Sequence, residues 1–487
     1  MKNWLTDRNL FWGTLVFLHL CAWGYQINQQ NWYLADSVEY WQQGENLWEH
    51  GAMYCGEYRK PLREDFYTKR PPVYPIILAG FQLLPHAEIW LSLVQNLLSL
   101  FNIWLMLSLM DRVRVRPRRL IWLLPFLILY PAQFIYANLV MTEILFQTVL
   151  LLLTIQMLNL FRTSLVNEAM AGRNPEKSGG GGDGKEAVQH FSALIFGSFH
   201  LRKRTILGWE KPEKYLLQSG IIIILGMLTK PILYLASLPF LGWAIWLGWR
   251  RKKLMQAILI GLIPLLTVFA YNSWNQSRTG YFHFSSIQNL SLLQYSTQNL
   301  LIHQLGYEEG VAAADTILYR SLRQASYAEG QQLLQRECFA VIFDQPAAYT
   351  GFHLKGMLNF FLDPGRFDIA HFFGWQGEGG LLSAFSNGGY RGVLDYLGQQ
   401  PLLMVGLLLG VLLMNGIKSL CLLFFAFQKR IPLSHRLIVL AVIGYIAFLT
   451  ASSGASRFAL PVFPLLMVGV AGLFKFGIPF YPTTKRQ

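Results

Sequence analysis

Apolar residues gather along this chain in long blocks separated by polar, mostly basic stretches. A hydrocarbon core takes roughly 20 apolar residues to cross as a helix. Ten blocks approach that length: 10–27, 86–110, 119–136, 140–161, 216–234, 235–249, 254–272, 401–427, 436–452 and 458–476. The fifth and sixth meet tightly, near Pro231. The first has the place of a signal peptide, yet no small-residue cleavage site follows it and aromatic residues crowd its end, so it is expected to be retained. The pattern predicts an all-α polytopic transmembrane bundle of about ten spans.

The polar stretches set the expected orientation. Cytoplasmic loops carry the excess of Lys and Arg. With the N-terminus inside, the inner segments hold 26 of the 41 basic residues and the two long outer loops, 28–85 and 273–400, hold 12. RVRVRPRR (112–119) and RRKK (250–253) then read as topology signals, and both termini are expected in the cytoplasm. Three regions follow. Residues 1–272 form an N-terminal transmembrane module with the outer loop 28–85 and a Gly-rich inner loop 162–215. Residues 273–400 form an outer region, where 331–344 and 352–362 have the amphipathic look of juxtamembrane helices lying on the bilayer. Residues 401–487 hold the C-terminal spans.

Composition agrees with the pattern. The 487 residues are 53% hydrophobic and 14% charged, with a mean hydropathy of +0.32, too little charge to cover a soluble protein of this size. The net charge of +14 is explained by the inner loops, so nucleic acid is not expected as a partner. Gly179 to Lys185 fits GxxxxGK, but no strand precedes it and Glu186 stands where a phosphate loop needs Ser or Thr; a flexible linker is the better reading. The cysteines show no CxxC spacing, and His303, His353 and His371 no metal-ligand spacing; a divalent metal is possible in principle but unsupported.

Charged groups at span ends invite a functional question, although most only snorkel into the headgroups. Lys418, toward the inner side of its span, is assigned to that ordinary case, and His19 is expected to be a packed, hydrogen-bonded residue. The outer ends are different as a set. Asp36 and Glu39 follow the first span, on one face if that stretch is helical, with Tyr40 one turn from Asp36. Glu143 opens the fourth span, Lys230 ends the fifth, and Arg457 precedes the tenth. Carboxylates can act as general bases toward a hydroxyl, and cations can hold a phosphate leaving group. An amphiphile with a phosphate headgroup is the simplest donor at that depth.

At these residues the chain resembles the GT-C glycosyltransferases, nearest the protein O-mannosyltransferase and aminoarabinose-transferase-like group (family 39-like). LADSVEYWQQGENLWEHG (34–51) and KRPPVYPIILAG (69–80) are similar to the first outer loop of that family. MTEILF (141–146), GMLTKP (226–231), NSWNQSRTGYFHFSSIQNL (272–290) and SRFALPVFPLL (456–466) follow in the family's order. One departure is Ser37, which stands where many members place a second acid directly after the first. The resemblance implies inverting transfer of a sugar from a polyprenyl-phosphate carrier to an acceptor hydroxyl at the outer face of the plasma membrane. It implies Asp36 as base with Glu39 in second place, and Glu143 positioning acceptor or base. Lys69, Arg70, Lys230 and Arg457 would bind the carrier phosphate, Tyr40 and Tyr74 would line the cleft, and Asn289 would lie at the substrate. The prolines 71, 72 and 75 are expected to fix an extended turn that aims Arg70 back at the site.

Sugar and acceptor (glycolipid, glycan or protein) are left open by the residues. So are a diphosphate carrier, a lipid or polysaccharide transporter or flippase, and a non-catalytic scaffold of envelope assembly. No internal repeat of the transporter kind is found.

Overall fold

A computed structural model of the chain describes residues 2–171, 212–375 and 389–477, apart from 393, 396 and 397. Most of the inner loop 162–215, with its Gly-rich run 179–185, lies outside the described residues. Every regular element described is helical. The long ones are α1 (Lys2–Gln29), α2 (Ala35–His50), α3 (Val73–Phe81), α4 (Ala87–Val113), α5 (Glu143–Ala171), α6 (Pro212–Met227), α7 (Ser237–Arg250) and α8 (Leu254–Thr279). They continue with α9 (Tyr307–Leu322), α10 (Tyr327–Asp344), α11 (Pro346–Leu362), α12 (Arg366–Phe373), α13 (Leu402–Phe427), α14 (Leu433–Thr450) and α15 (Phe463–Phe476).

Eight helical stretches among the described residues are long and apolar enough to cross a membrane: Thr6–Gln29, Ala87–Val113, Glu143–Phe161, Pro231–Arg250, Leu254–Thr279, Leu402–Phe427, Leu433–Thr450 and Ser456–Phe476. Their outward faces expose Phe17, Leu97, Trp104, Leu259, Phe269 and Leu413, while His19, Asn102, Gln133 and Gln147 are buried between them. Apolar side chains outside and hydrogen-bonded polar groups inside suit a bundle whose solvent is lipid. The chain is a multi-pass helical membrane protein.

Two of the ten expected passages are not continuous helices. Segment 119–136 is broken into Leu120–Leu123, Leu124–Ile128 and Ala132–Ala137. Pro125 and Pro131 lack the N–H a continuous helix needs. The segment still runs the length of the bundle. The Leu120 N–H donates to Asp7 Oδ2 (2.8 Å) near the start of α1, and the Val140 N–H donates to the Trp32 carbonyl (3.0 Å) past its end. The other is α6, about 24 Å long at 1.5 Å per residue. It gives way to a 3-10 turn at Pro231–Ala236. Glu213 near its start pairs with Lys253 (2.5 Å), and Lys230 beyond its end reaches Glu143 at the opposite end of the bundle.

Side-chain amides hold the broken segment in place. Gln133 and Gln147 exchange two hydrogen bonds of 3.0 Å. Gln133 also donates to Ser99 Oγ (2.7 Å), Asn102 to Gln147 Oε1 (2.9 Å), and Gln147 to the Leu460 carbonyl (2.8 Å). Ser99 in turn meets His19 Nε2 at 2.9 Å, so His19 is the packed, bonded residue expected. Lys418 departs from expectation. It is 1% exposed and does not snorkel; its Nζ lies 4.0 Å from the centre of the Tyr130 ring, which stacks on Phe463 at 3.9 Å. Those two rings cover the amine before it can reach the bundle surface. The α15 helix, buried from Phe463 through Gly472, is the central post of the C-terminal half.

The amphipathic stretches 331–344 and 352–362 are helical, within α10 and α11. α11 packs on α13, α14 and the turn Ser456–Ala459. It thereby brings residues 363–368 to the end of the bundle where Asp36 lies.

Candidate functional site

α2 opens where the Leu34 N–H donates to Ser37 Oγ (2.9 Å). The spacing of three then sets Asp36 and Glu39 on one face, as expected. α3 crosses α2 at Gly44, where a Cβ would meet Gln82 Oε1 at 3.0 Å and Ala79 N and Pro75 O at 3.1 Å, so a larger residue would push the two helices apart by a few tenths of an ångström. The chain between α2 and α3 returns Lys69 and Arg70 over the carboxylates. The extended turn expected at the prolines is shorter than supposed. Pro72 already takes helical angles (φ −78°, ψ −24°), and Pro75 sits in the first turn of α3, where a missing N–H costs nothing.

The return loop is clamped from the segment after α8. His283 Nδ1 faces the Tyr281 carbonyl (2.8 Å), so it carries the proton, and Nε2 is left to accept from Thr68 Oγ1 (2.7 Å). Ser285 donates to the Lys69 carbonyl (2.9 Å) and Ser286 to the Asp65 carbonyl (2.7 Å). Gln43 donates to the Arg70 carbonyl (3.1 Å). Lys69 and Arg70 are thus fixed through their backbones, which leaves their charges to be spent on the carboxylates.

Those charges form one alternating row. Lys69 Nζ meets Glu39 Oε1 at 2.5 Å. Arg70 Nε donates to Glu39 Oε2 (2.7 Å), and its Nη2 to Asp36 Oδ1 (2.6 Å). Arg457 Nη1 takes the other Asp36 oxygen (2.6 Å), and its Nε takes Glu143 Oε1 (2.5 Å). Lys230 Nζ closes the row on the same Glu143 oxygen (2.9 Å). Seven side chains from the starts of α2 and α5, the loop before α3, the turn after α6 and the start of the last passage alternate in sign. Four are cations and three are carboxylates. Glu143 is 0% exposed, Arg70 7% and Lys230 8%, while Asp36, Glu39, Lys69 and Arg457 are half-buried, so the row runs from a desolvated end at Glu143 to a solvent-facing edge.

Aromatic rings floor the row. The Arg70 guanidinium lies 4.9 Å from the centre of the Tyr40 ring, which meets Tyr74 edge-on at 5.4 Å. Tyr74 is anchored by a hydrogen bond to Gln95 Oε1 (2.9 Å). Burial disfavours the Asp36 carboxylate, but the Arg70 and Arg457 guanidiniums outweigh it and hold the group well below the usual range. Burial pushes the Tyr40 hydroxyl up.

Nine of the ten residues singled out in the sequence are therefore brought together. Asn289 is not among them: its amide donates to Gln331 Oε1 (3.0 Å), tying the stretch after α8 to α10. A second polar group adjoins the row, and sequence reasoning missed it. Asp368 Oδ1 accepts from the Tyr136 hydroxyl (2.8 Å) and Oδ2 from the Ser456 hydroxyl (3.0 Å). Asp363 Oδ2 accepts from the Ser456 N–H (2.6 Å). Burial pushes the Asp368 carboxyl up, against the two hydroxyls and the Arg457 charge. The only signal for this group was the turn-forming Asp-Pro-Gly at 363–365 after an apolar run.

Chemically, the row is a partly desolvated cluster whose cations are already engaged by carboxylates and exceed them by one. An incoming anionic group can take over guanidinium donors, and the carboxylate it displaces is then free to accept a proton. Among the described residues no three His, Cys, Asp or Glu side chains converge as a metal site requires. Comparison of the chain with models of protein families, with curated proteins and with solved structures finds no match.

Proposed function

We propose that this chain is an inverting glycosyltransferase of the GT-C type, moving a sugar from a polyprenyl-phosphate carrier to an acceptor hydroxyl. The observation that carries the reading is the alternating row with one cation in excess. One surplus positive charge suits the single negative charge of a phosphodiester, and a bundle end set against lipid suits a donor whose tail stays in the bilayer. The Lys/Arg bias supports an outward-facing position for this end, and the membrane is proposed to be the plasma membrane.

In the proposed reaction the donor phosphate displaces carboxylate oxygens from Arg70 and Arg457, with Lys69 and Lys230 adding charge. Asp36, released from one guanidinium, takes the proton of the acceptor hydroxyl. The acceptor oxygen bonds to the anomeric carbon from the side opposite the phosphate. The bond from that carbon to the phosphate oxygen breaks, and its electron pair leaves with the carrier phosphate, held by the cations. Configuration is inverted. Glu143 keeps Arg457 and Lys230 in register beneath the phosphate, while Tyr40 and Tyr74 wall the cleft.

The test uses protein purified in detergent with radiolabelled polyprenyl-phosphate sugars, scored for transfer or sugar release. Asp36→Asn should lower turnover about 10²–10⁴-fold in protein of unchanged fold, the usual weight of a general base. Wild-type protein that binds no such donor would overturn the proposal and return the flippase and scaffold readings.

A further inference from the structure

Arg457 is the one member of the row that touches two carboxylates from different helices, Asp36 of α2 and Glu143 of α5. Its own backbone lies in a short turn, Ser456–Ala459, that begins after Gly454 and Ala455 and has no side-chain cap. Something outside the turn must fix it. The residue before Arg457 is gripped from two directions. The Ser456 N–H donates to Asp363 Oδ2 (2.6 Å), and its hydroxyl donates to Asp368 Oδ2 (3.0 Å). Both carboxylates are themselves anchored. Asp363 Oδ1 accepts from the Gly365 N–H (3.1 Å), and the Asp363 carbonyl accepts from Asn415 of α13 (3.0 Å). Asp368 Oδ1 accepts from Tyr136 in the broken segment (2.8 Å). Gly365, at φ +75°, lets the loop turn tightly there; a Cβ would stand 2.8 Å from Ser456 Oγ.

We infer that Asp363 and Asp368 are positioning residues that act on the anion site through Ser456, setting where Arg457 stands between Asp36 and Glu143. Neither aspartate is part of the row. Their grip fixes the peptide immediately before Arg457, so a loss of grip lets the guanidinium drift from the carboxylate pair. A misplacement of 1 Å in a charged, desolvated contact is felt strongly in binding. The inference deepens the proposed function and rests on it for the identity of the anion.

The experiment is a double-mutant cycle with two readouts: binding of decaprenyl phosphate in detergent, and the thermal midpoint of the protein without it. Ser456→Ala removes only the hydroxyl bond to Asp368 and leaves the backbone bond to Asp363. It should weaken decaprenyl phosphate about five- to tenfold, raising donor KM with little change in kcat. On an Arg457→Ala background the same change should cost no further affinity, because the side chain it positions is gone. Asp368→Asn should behave likewise, and Arg457→Gln, which also removes the charge, replaces Arg457→Ala if that variant does not fold. Affinity losses that multiply across the two sites would overturn the inference. Should wild-type protein bind no decaprenyl phosphate, the proposed function fails by itself and the thermal cycle decides. Midpoint losses smaller together than in sum support positioning, and strictly additive losses refute it.

Discussion

Arg457 and Glu143 meet at 2.5 Å although 314 positions separate them in the chain. This contact joins the start of the α5 passage to the start of the last one. It puts a carboxylate that is 0% exposed under two cations, since Lys230 shares the same oxygen. Removing one partner from such a group leaves buried charge uncompensated, which is where its cost lies.

Glu143→Gln should therefore destabilise the bundle by about 3–5 kcal/mol, the usual cost of breaking a buried pair. The thermal midpoint in detergent reads it. The double change Glu143→Gln with Lys230→Met should recover part of the loss, because it removes one of the stranded cations. A midpoint for Glu143→Gln equal to wild type would demote the contact to a solvated surface pair.

Arg70 donates to both Asp36 and Glu39. Arg70→Ala should raise donor KM about 10–100-fold, the weight of hydrogen bonds to a charged group. Lys69→Ala should do less, because a flexible ammonium supplies charge without a fork. Steady-state kinetics on folded protein decides; equal effects of the two would remove the forked contact from the account.

The His283 clamp sets a pH dependence. Burial lowers its pKa below the ordinary 6.5, although the Tyr281 carbonyl opposes this. A folded-state pKa below the unfolded one means the unfolded chain binds more protons, so this stabilisation is full above pH 6.5 and is lost as pH falls through that value. Protonation also turns Nε2 from acceptor to donor, so the Thr68 hydroxyl must reverse its role and accept. Thermal midpoints should fall more steeply between pH 7 and pH 5 for wild type than for His283→Gln. Parallel curves would show that the clamp does not titrate.

Gln147→Leu should cost about 1–3 kcal/mol for each partner it orphans, here the Leu460 carbonyl, both bonds of Gln133 and one of Asn102. The loss should appear in stability while Asp36-dependent turnover per folded molecule stays within about twofold. A turnover collapse without loss of stability would mean that this amide layer shapes the charged row directly.

Much of this was legible in the chain. Lengths of apolar run give the membrane-crossing stretches, and span-end charges give Asp36, Glu39, Glu143, Lys230 and Arg457, because a charge stands out against an apolar background; Lys69, Arg70 and Tyr74 come only with the resemblance of their loop. Asn289 gives no such signal, being a neutral amide, and the fold bonds it to Gln331, 42 residues away. Asp363 and Asp368 went unread for a related reason. They lie in the long outer region, where carboxylates are ordinary, and only the fold brings them to Ser456. Lys418 was read as snorkelling because periodicity does not reveal that Tyr130 and Phe463 stack over the amine. Segment 119–136 was expected to cross, and its breaks at Pro125 and Pro131 went unread.

That broken segment also bears on how the protein is made. Gln133 and Asn138 find their partners on neighbours, Ser99 and Asn96 of α4 and Gln147 of α5. The segment's interrupted backbone also leaves carbonyls and amides that lipid cannot satisfy. Released alone into the bilayer during synthesis, it would be a poor guest. Its amides are satisfied between α4 and α5, so its burial depends on both helices. The chain order α4, broken segment, α5 puts those hosts directly before and after it, and the least lipid-compatible passage is the one with its partners nearest in sequence.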